Sequence, residues 1–384
     1  MATALSNPTL MHRLFRWVQG FDVPLAIAAV GLAGLGLLVM YSSGHDHGTR
    51  FVDHARNMLI ALAVLLVVMH IPPQRWMELA VPVYVVGVCL LVAVALFGVA
   101  RKGAQRWLDV GITIQPSEVL KIAVPLVLAW WFQKREGQLR AADFLVAFAM
   151  LSIPVGLIMH QPDLGTALLV LTAGMAVMYF AGLSWTLVLP PLILGGVGIL
   201  LLIVWEPELC AQGVRWPVLY DYQQQRVCTL LDPWKDPLGK GFHIIQGMIA
   251  IGSGGVWGKG FMKGTQTHLE FIPERTTDFV FAAYAEEFGL LGVLVLVALY
   301  VSLVLRALAI AVDAPTMFAR LLGGAIAVII FCYAFVNLGM VSGILPVVGI
   351  PLPFLSYGGT AMVTLGVCLG ILMSIARSRR LMPG

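Results

Sequence analysis

The chain reads as an all-α polytopic membrane protein with about ten transmembrane helices, and three observations say so. Of its 384 residues, 59% are hydrophobic and only 11% are charged, against roughly 25% charged in soluble domains. Mean hydropathy is +0.90. Apolar runs long enough for a bilayer-spanning helix, which takes about 20 residues, recur along the whole chain. So little charge cannot cover a soluble globule of this size. The same figures exclude a disordered chain, a coiled coil and a disulfide-stapled secreted domain.

The runs fall at about 23–43, 55–71, 79–100, 117–133, 144–160, 163–182, 184–205, 278–308, 319–341 and 357–376. The first follows His12, Arg13 and Arg16 but is long and lacks a small-residue cleavage site, so it reads as a span and not as a signal peptide. An even number of spans puts both termini on one side. Arg13, Arg16, Arg75, Lys134, Arg135, Arg140, Arg306, Arg320, Arg377, Arg379 and Arg380 share that side, which the positive-inside rule makes cytoplasmic. The short loop with Arg101, Lys102 and Arg106 breaks the rule on the other face. Residues 1–384 are expected to form a single integral membrane domain.

Two outer connections stand apart. Residues 206–277 form one large extracytoplasmic loop, too long to be structureless in a compact domain without a functional reason. Within it Phe242–Ile251 is too short to span and is expected to dip into the membrane interface. In Ser342–Ser356, Pro346, Pro351 and Pro353 with Gly343 and Gly349 rule out a regular helix. The net charge of +4 is scattered over short connections, with no basic stripe for nucleic acid. Of five cysteines, Cys89, Cys332 and Cys368 lie in apolar runs. Cys210 and Cys228 could pair only in an oxidising compartment, and the expectation is that they are free.

Ionisable residues inside spans are costly and therefore informative. Pro116-Ser-Glu118 opens the fourth span, with Lys121 on the same helix face. Two readings stand for this pair, a buried tether between helices and a polar cavity that contacts a charged substrate. Asp163 opens the sixth span after Pro162. Even-numbered spans present their N-termini, with partial positive charge, to the outer face. Together with Arg106, Lys121 and Arg226 such termini would suit a diphosphate.

Asp278, where the long loop enters the eighth span, is either a helix cap, a contribution of about 1 kcal/mol, or a general base at the water–membrane boundary. Glu286 and Glu287 read as buried partners. Gly254–Gly260 fails as a phosphate loop, because Ser253 takes the first glycine position and Gly260 replaces Ser/Thr. His45 and His47 with Asp53 and His54 lack a zinc spacing and read as a solvated loop.

Taken together, Gly103-Ala-Gln-Arg-Trp107, Ile114-Gln-Pro-Ser-Glu-Val-Leu-Lys121, Gln161-Pro-Asp-Leu-Gly-Thr166, Phe271-Ile-Pro-Glu-Arg-Thr-Thr-Asp-Phe-Val-Phe281 and Pro353-Phe-Leu-Ser-Tyr-Gly-Gly359 resemble the SEDS family (shape, elongation, division and sporulation). The resemblance covers essentially the whole chain. Asp232–Gly239, Ile249–Gly255 and Gly264-Thr-Gln266 look like its elongation branch more than its division branch. It implies a peptidoglycan glycosyltransferase that polymerises lipid II on the outer face of the bacterial cytoplasmic (inner) membrane. By the same resemblance the carboxylate of Asp278 is the essential catalytic residue, and Trp107, Glu118, Lys121 and Asp163 are substrate-binding positions. It implies undecaprenyl-diphosphate-linked glycan as co-substrate, a class B penicillin-binding protein and the elongation machinery as partners, and dependence on a divalent cation, magnesium or manganese. The chain departs from the family pattern at Thr276, where His is usual, and at His268, where Gln is common. Rival readings are a lipid II flippase or transporter and a scaffold that only anchors a partner enzyme.

Overall fold

The computed structural model describes residues 21–44, 48–101, 104–109, 113–211, 214, 216, 221–239, 241–269, 271, 272 and 274–381. Arg13, Arg16, His45, His47, Lys102, Arg215 and Lys240 lie outside them. The elements in chain order are α1 (Val23–Ser43), α2 (Arg50–Val68), α3 (Pro73–Phe97), three short strands, α4 (Pro116–Gln133), α5 (Ala141–His160), α6 (Leu164–Phe180) and α7 (Trp185–Val204). The outer segment holds α8 (Glu206–Leu209), α9 (Asp221–Leu231), α10 (Phe242–Gly254) and α11 (Thr265–His268), and after it come α12 (Val280–Val312), α13 (Met317–Val341) and α14 (Gly359–Leu381). Eight of these helices are long and apolar enough to cross a membrane. The other two, α4 with Glu118 and Lys121 and the 17-residue α6, pack inside the bundle. The ten helices answer the ten apolar runs.

Their ends differ from the hydropathy boundaries for local reasons. The second helix starts at Arg50 and not near 55, because it continues through the polar turn containing Asp53. The third starts at Pro73, since proline's fixed φ suits a first turn. The fifth begins at Ala141, where Asp143 accepts from the Arg140 amide at 2.9 Å. Asp22 caps α1 by accepting from the Leu25 amide at 3.1 Å, and the Arg306 guanidinium of α12 grips the same carboxylate through two bonds of 2.8 and 2.6 Å.

Burial identifies the centre. In the apolar windows of α13 and α14, 72% and 67% of residues are buried, against 0% in α7. Lipid is as apolar as leucine, so helix contacts in a membrane depend on close approach. On α14 a Cβ at Gly366 would stand 2.5 Å from the Ala61 carbonyl oxygen of α2.

The outer regions hold three departures from expectation. The loop with Arg101 and Arg106 is a three-stranded antiparallel sheet, β1 (Val99–Arg101), β2 (Ala104–Asp109) and β3 (Thr113–Ile114). Cys210 and Cys228 are joined in a disulfide, which corrects the expectation of free thiols. The two cysteines stand 18 positions apart, Cys210 directly after α8 (Glu206–Leu209) and Cys228 within α9 (Asp221–Leu231), and no local pattern in the sequence marks that pairing. His54 belongs to no solvated loop: it is fully buried on α2, its Nε2 3.1 Å from the Phe354 carbonyl. The polar run around it hid a helix start.

Residues 242–254 form α10 (Phe242–Gly254), which docks on α12 and α13 with Ile244, Ile245, Gly247 and Ala250 buried. Beyond it the chain inserts into a break in α12. At Gly289 the backbone turns to φ 62°, ψ −164°, which releases helical hydrogen bonds on both sides. The Leu290 and Leu291 amides donate to the carbonyls of Gly255 and Val256 at 2.9 and 3.2 Å. In return the Lys259 and Gly260 amides donate to the carbonyls of Glu286 and Glu287, both at 3.0 Å. A break inside an apolar region is tolerated when other protein groups satisfy the freed backbone.

A Cβ at Gly289 would lie 2.2 Å from the Gly258 nitrogen, whereas one at Gly34 meets nothing within 4 Å. Gly289→Ala is expected to cost more than the ~1–3 kcal/mol of a left-handed non-glycine residue, read as a lower melting temperature in detergent, and Gly34→Ala to be neutral.

Candidate active site

Asp278 lies half-buried one residue ahead of Phe279, the N-cap of α12. It therefore does not occupy the capping position. Its surroundings are built from segments without regular helix, 274–279 and 342–356, which are joined by hydrogen bonds. The Asn337 side-chain amide on α13 donates to the Asp278 carbonyl at 3.1 Å and to the Ile350 carbonyl at 2.7 Å. Ser356 Oγ donates to the Thr277 carbonyl at 2.6 Å and accepts from the Leu352 amide at 2.8 Å. The Tyr357 amide donates to the Thr276 carbonyl at 2.8 Å. Gly349, at φ 73°, faces the carboxylate: a Cβ there would be 3.6 Å from Asp278 Oδ2. Thr276 is fully buried, and its hydroxyl accepts from the Arg50 guanidinium of α2.

A carboxylate further along α12 ties the long outer loop to this segment. Glu286 is fully buried, as expected, and accepts from Lys259 Nζ at 2.7 Å, the Gln266 amide at 2.8 Å and the Thr267 amide and hydroxyl at 3.1 and 2.9 Å. The buried Arg275 guanidinium in turn donates to the Thr267 carbonyl. Glu287 accepts from the Ser42 hydroxyl of α1 and lies 3.6 Å from His268 Nε2. His268 and Arg275 thus both hold the loop that runs into Asp278.

The second cluster lies between α4, α13 and α14. Lys121 Nζ donates to Glu118 Oε1 at 2.5 Å and to Tyr333 Oη at 2.7 Å, and Thr364 Oγ1 donates to Glu118 Oε2 at 3.2 Å. Lys121 is 2% exposed, so its ammonium serves these partners and not open solvent. Beside Tyr333, Ser356 and Thr364 lies a pocket of about 20 Å³, room for little more than a water molecule. Tyr333 and Asn337 stand one helical turn apart on α13 and so connect this ion pair to Asp278.

A third group centres on Asp163, the N-cap of α6. Its carboxylate accepts from the Thr166 amide at 3.2 Å, the Thr166 hydroxyl at 3.0 Å and Gln115 Nε2 at 3.2 Å, with Arg106 Nη1 3.8 Å away. Arg106 also donates to the Pro162 carbonyl. Trp107, half-buried on β2, pairs with Val99. The structure brings Arg106 to Asp163 and Lys121 to Glu118. Arg226 sits half-buried on α9, which packs on the turn Pro233–Lys235. Sequence reasoning missed Tyr333, Asn337, Ser356 and Thr364. The available signal was that each is a polar residue in or beside an apolar run.

Among the described residues no three His, Cys, Asp or Glu side chains gather into a set that could hold a metal ion.

A helical membrane bundle with a half-buried carboxylate held between a broken helix and a proline-rich loop defines the class. The cell cycle protein family of FtsW, RodA and SpoVE matches residues 23–381, and the chain belongs to it. It is 45% identical over 363 residues to the peptidoglycan glycosyltransferase MrdB of Escherichia coli K12, covering 94% of this chain and 95% of that one. To the probable peptidoglycan glycosyltransferase FtsW of Geobacter metallireducens it is 33% identical over 378 residues, covering 94% and 95%. Among solved structures it is similar to the rod shape-determining protein RodA of Thermus thermophilus (TM-score 0.68, 26% identity, 94% and 97% covered). A chain from a peptidoglycan synthase complex that coordinates polymerization and crosslinking aligns with TM-score 0.75 at 32% identity, covering 94% and 98%.

If the Glu118–Lys121 pair tethers helices, Lys121→Met leaves a carboxylate buried without its cation. That loss typically costs about 3–5 kcal/mol. The double variant Glu118→Gln, Lys121→Met is expected to recover most of it in thermal unfolding. A stable Lys121→Met protein with weakened substrate binding would instead make Lys121 a ligand contact.

Proposed function

We propose that this chain polymerises lipid II into glycan strands on the outer face of the cytoplasmic membrane, with Asp278 as general base. The observation that carries the reading is the placement of Asp278. Its backbone is clamped by Asn337, that of its neighbour Thr277 by Ser356, and its carboxylate faces the side-chain-free surface of Gly349. A fixed base within reach of a hydroxyl is what general base catalysis requires.

Asp278 takes the proton from the 4-hydroxyl of one lipid-linked disaccharide. That oxygen attacks the anomeric carbon of the growing strand; the new glycosidic bond forms as the bond to undecaprenyl diphosphate breaks, with inversion. The leaving diphosphate carries away the electron pair. Arg106, with Trp107 beside it on β2, contributes to the cationic surface that receives it, and Arg226 is assigned to the same surface. In this reading Glu118, Lys121 and Asp163 hold the helices that frame the site. Thr276 anchors to Arg50 where a His is usual in the family, so Asp278 acts without a histidine at that position. A divalent cation, magnesium or manganese, would arrive with the diphosphate, since magnesium needs only one or two protein carboxylates beside phosphate oxygens.

A class B penicillin-binding protein is the proposed partner that crosslinks the strands, within the elongation machinery. The disulfide supports an outward-facing 206–277 segment, because such bonds persist in oxidising compartments. After mild reduction of intact spheroplasts, a membrane-impermeant thiol reagent is expected to label Cys210 and Cys228. Labelling only after lysis would reverse the orientation.

Purified protein with lipid II, with and without the partner, is expected to make glycan strands, and Asp278→Asn none, a loss of at least the ~10²–10⁴-fold typical of a general base. No strands from either protein would favour lipid transport. Strands from both would remove Asp278 from the chemistry.

A further inference from the structure

We infer that Asn337 is the positioning residue of Asp278: its buried carboxamide sets the gap between that residue and the loop facing it. The inference rests on the catalytic reading of Asp278 above and adds to it a residue that touches no substrate.

Asn337 is fully buried in a helix that is otherwise apolar around it, and a polar group in such a place is costly unless it is used. Its Nδ2 serves two backbone carbonyls, Asp278 at 3.1 Å and Ile350 at 2.7 Å. Both acceptors are carbonyl oxygens, so only the amide nitrogen can face them. The orientation of the side chain is therefore fixed, and Oδ1 is turned to the other side, where it is buried without a hydrogen-bond partner. The two carbonyls belong to the two irregular segments that flank the carboxylate. Ile350 directly follows Gly349, whose Cβ position lies 3.6 Å from Asp278 Oδ2. One amide thus ties the residue bearing the base to the residue beside the surface that the base faces.

The support behind this amide is stiff. Tyr333, one turn earlier on α13, is bonded to Lys121 at 2.7 Å, and Lys121 to Glu118 at 2.5 Å. The clamp is therefore mounted on a helix locked to α4 and not on a loop. Removing it leaves two irregular segments to set their own spacing, and a displacement of about 1 Å at a reacting group can cost about 100-fold in rate.

The test measures kcat, KM and the pH dependence of kcat for lipid II polymerisation by the full chain with its crosslinking partner, alongside thermal unfolding. Variants are Asn337→Ala, Asn337→Asp and Ser374→Ala, the last removing a buried hydroxyl of α14 bonded at 2.5 Å to the Ile71 carbonyl just beyond α2. The expected result for Asn337→Ala is a fall in kcat of about 100-fold per folded molecule with KM within about twofold. The acidic limb of its pH profile is expected to move, while Ser374→Ala leaves that limb in place. Asn337→Asp should be worse, because it sets a carboxylate against two carbonyls.

Unchanged kcat in Asn337→Ala would overturn the inference. So would a raised KM at constant kcat, or a loss that tracks the melting temperature as in Ser374→Ala. Should Asn337→Ala not fold, Asn337→Gln decides. It keeps the donor one methylene farther out, and the inference requires reduced kcat at unchanged KM. A wild-type protein that makes no strands removes the catalytic reading, and this inference with it, whereas an active wild type with an unaffected Asn337 variant removes only the inference.

Discussion

Everything around Asp278 depends on one constraint: a backbone group released inside an apolar bundle must find its partner within the protein. The turn at Gly289 releases such groups, and the loop from Gly255 to Gly260 answers four of them with its own amides and carbonyls. That exchange brings the outer loop down against α12. Once there, Lys259, Gln266 and Thr267 can reach Glu286, and Thr267 can receive Arg275, three residues before Asp278. The position of the carboxylate is thus the end of a chain of satisfied polar groups that begins at the break in α12.

The other side of the site hangs from α13. This helix is buried along most of its length, which leaves it little freedom, and its polar side chains are directed at neighbours that lack helical structure or carry charge. Tyr333 meets Lys121, and Asn337 meets the two irregular segments. Rigid support and irregular site segments divide the work: the helices supply position, and the loops supply exposed backbone and the space beside Gly349.

Much of this was legible in the residues themselves. Ten apolar runs gave ten helices because lipid rewards one property over about 20 residues, and that property is summed, not arranged. The spacing of Glu118 and Lys121 foretold their contact, since residues three apart share a helix face. Pro346, Pro351 and Pro353 marked the segment that stays irregular. What escaped were pairings over long separations. Cys210 with Cys228, Arg106 with Asp163, and Asn337 with Asp278 depend on how loops return, and no local pattern records a return. Residues 99–114 escaped for a related reason, because strands of two to six residues are too short to show a period.

None of the residues of α7 is buried, although its mean hydropathy, 2.7, equals the highest of any span. Its association with the bundle is therefore not encoded in matched surfaces. Lipid holds it across the membrane, and the lipid does not distinguish leucine from isoleucine or valine at a given position. The text of α7 is consequently written in a coarser alphabet than that of α13, where the buried Asn337 must present an amide to two carbonyls. Drift along α7 would leave the protein's architecture unaltered so long as the average remained apolar.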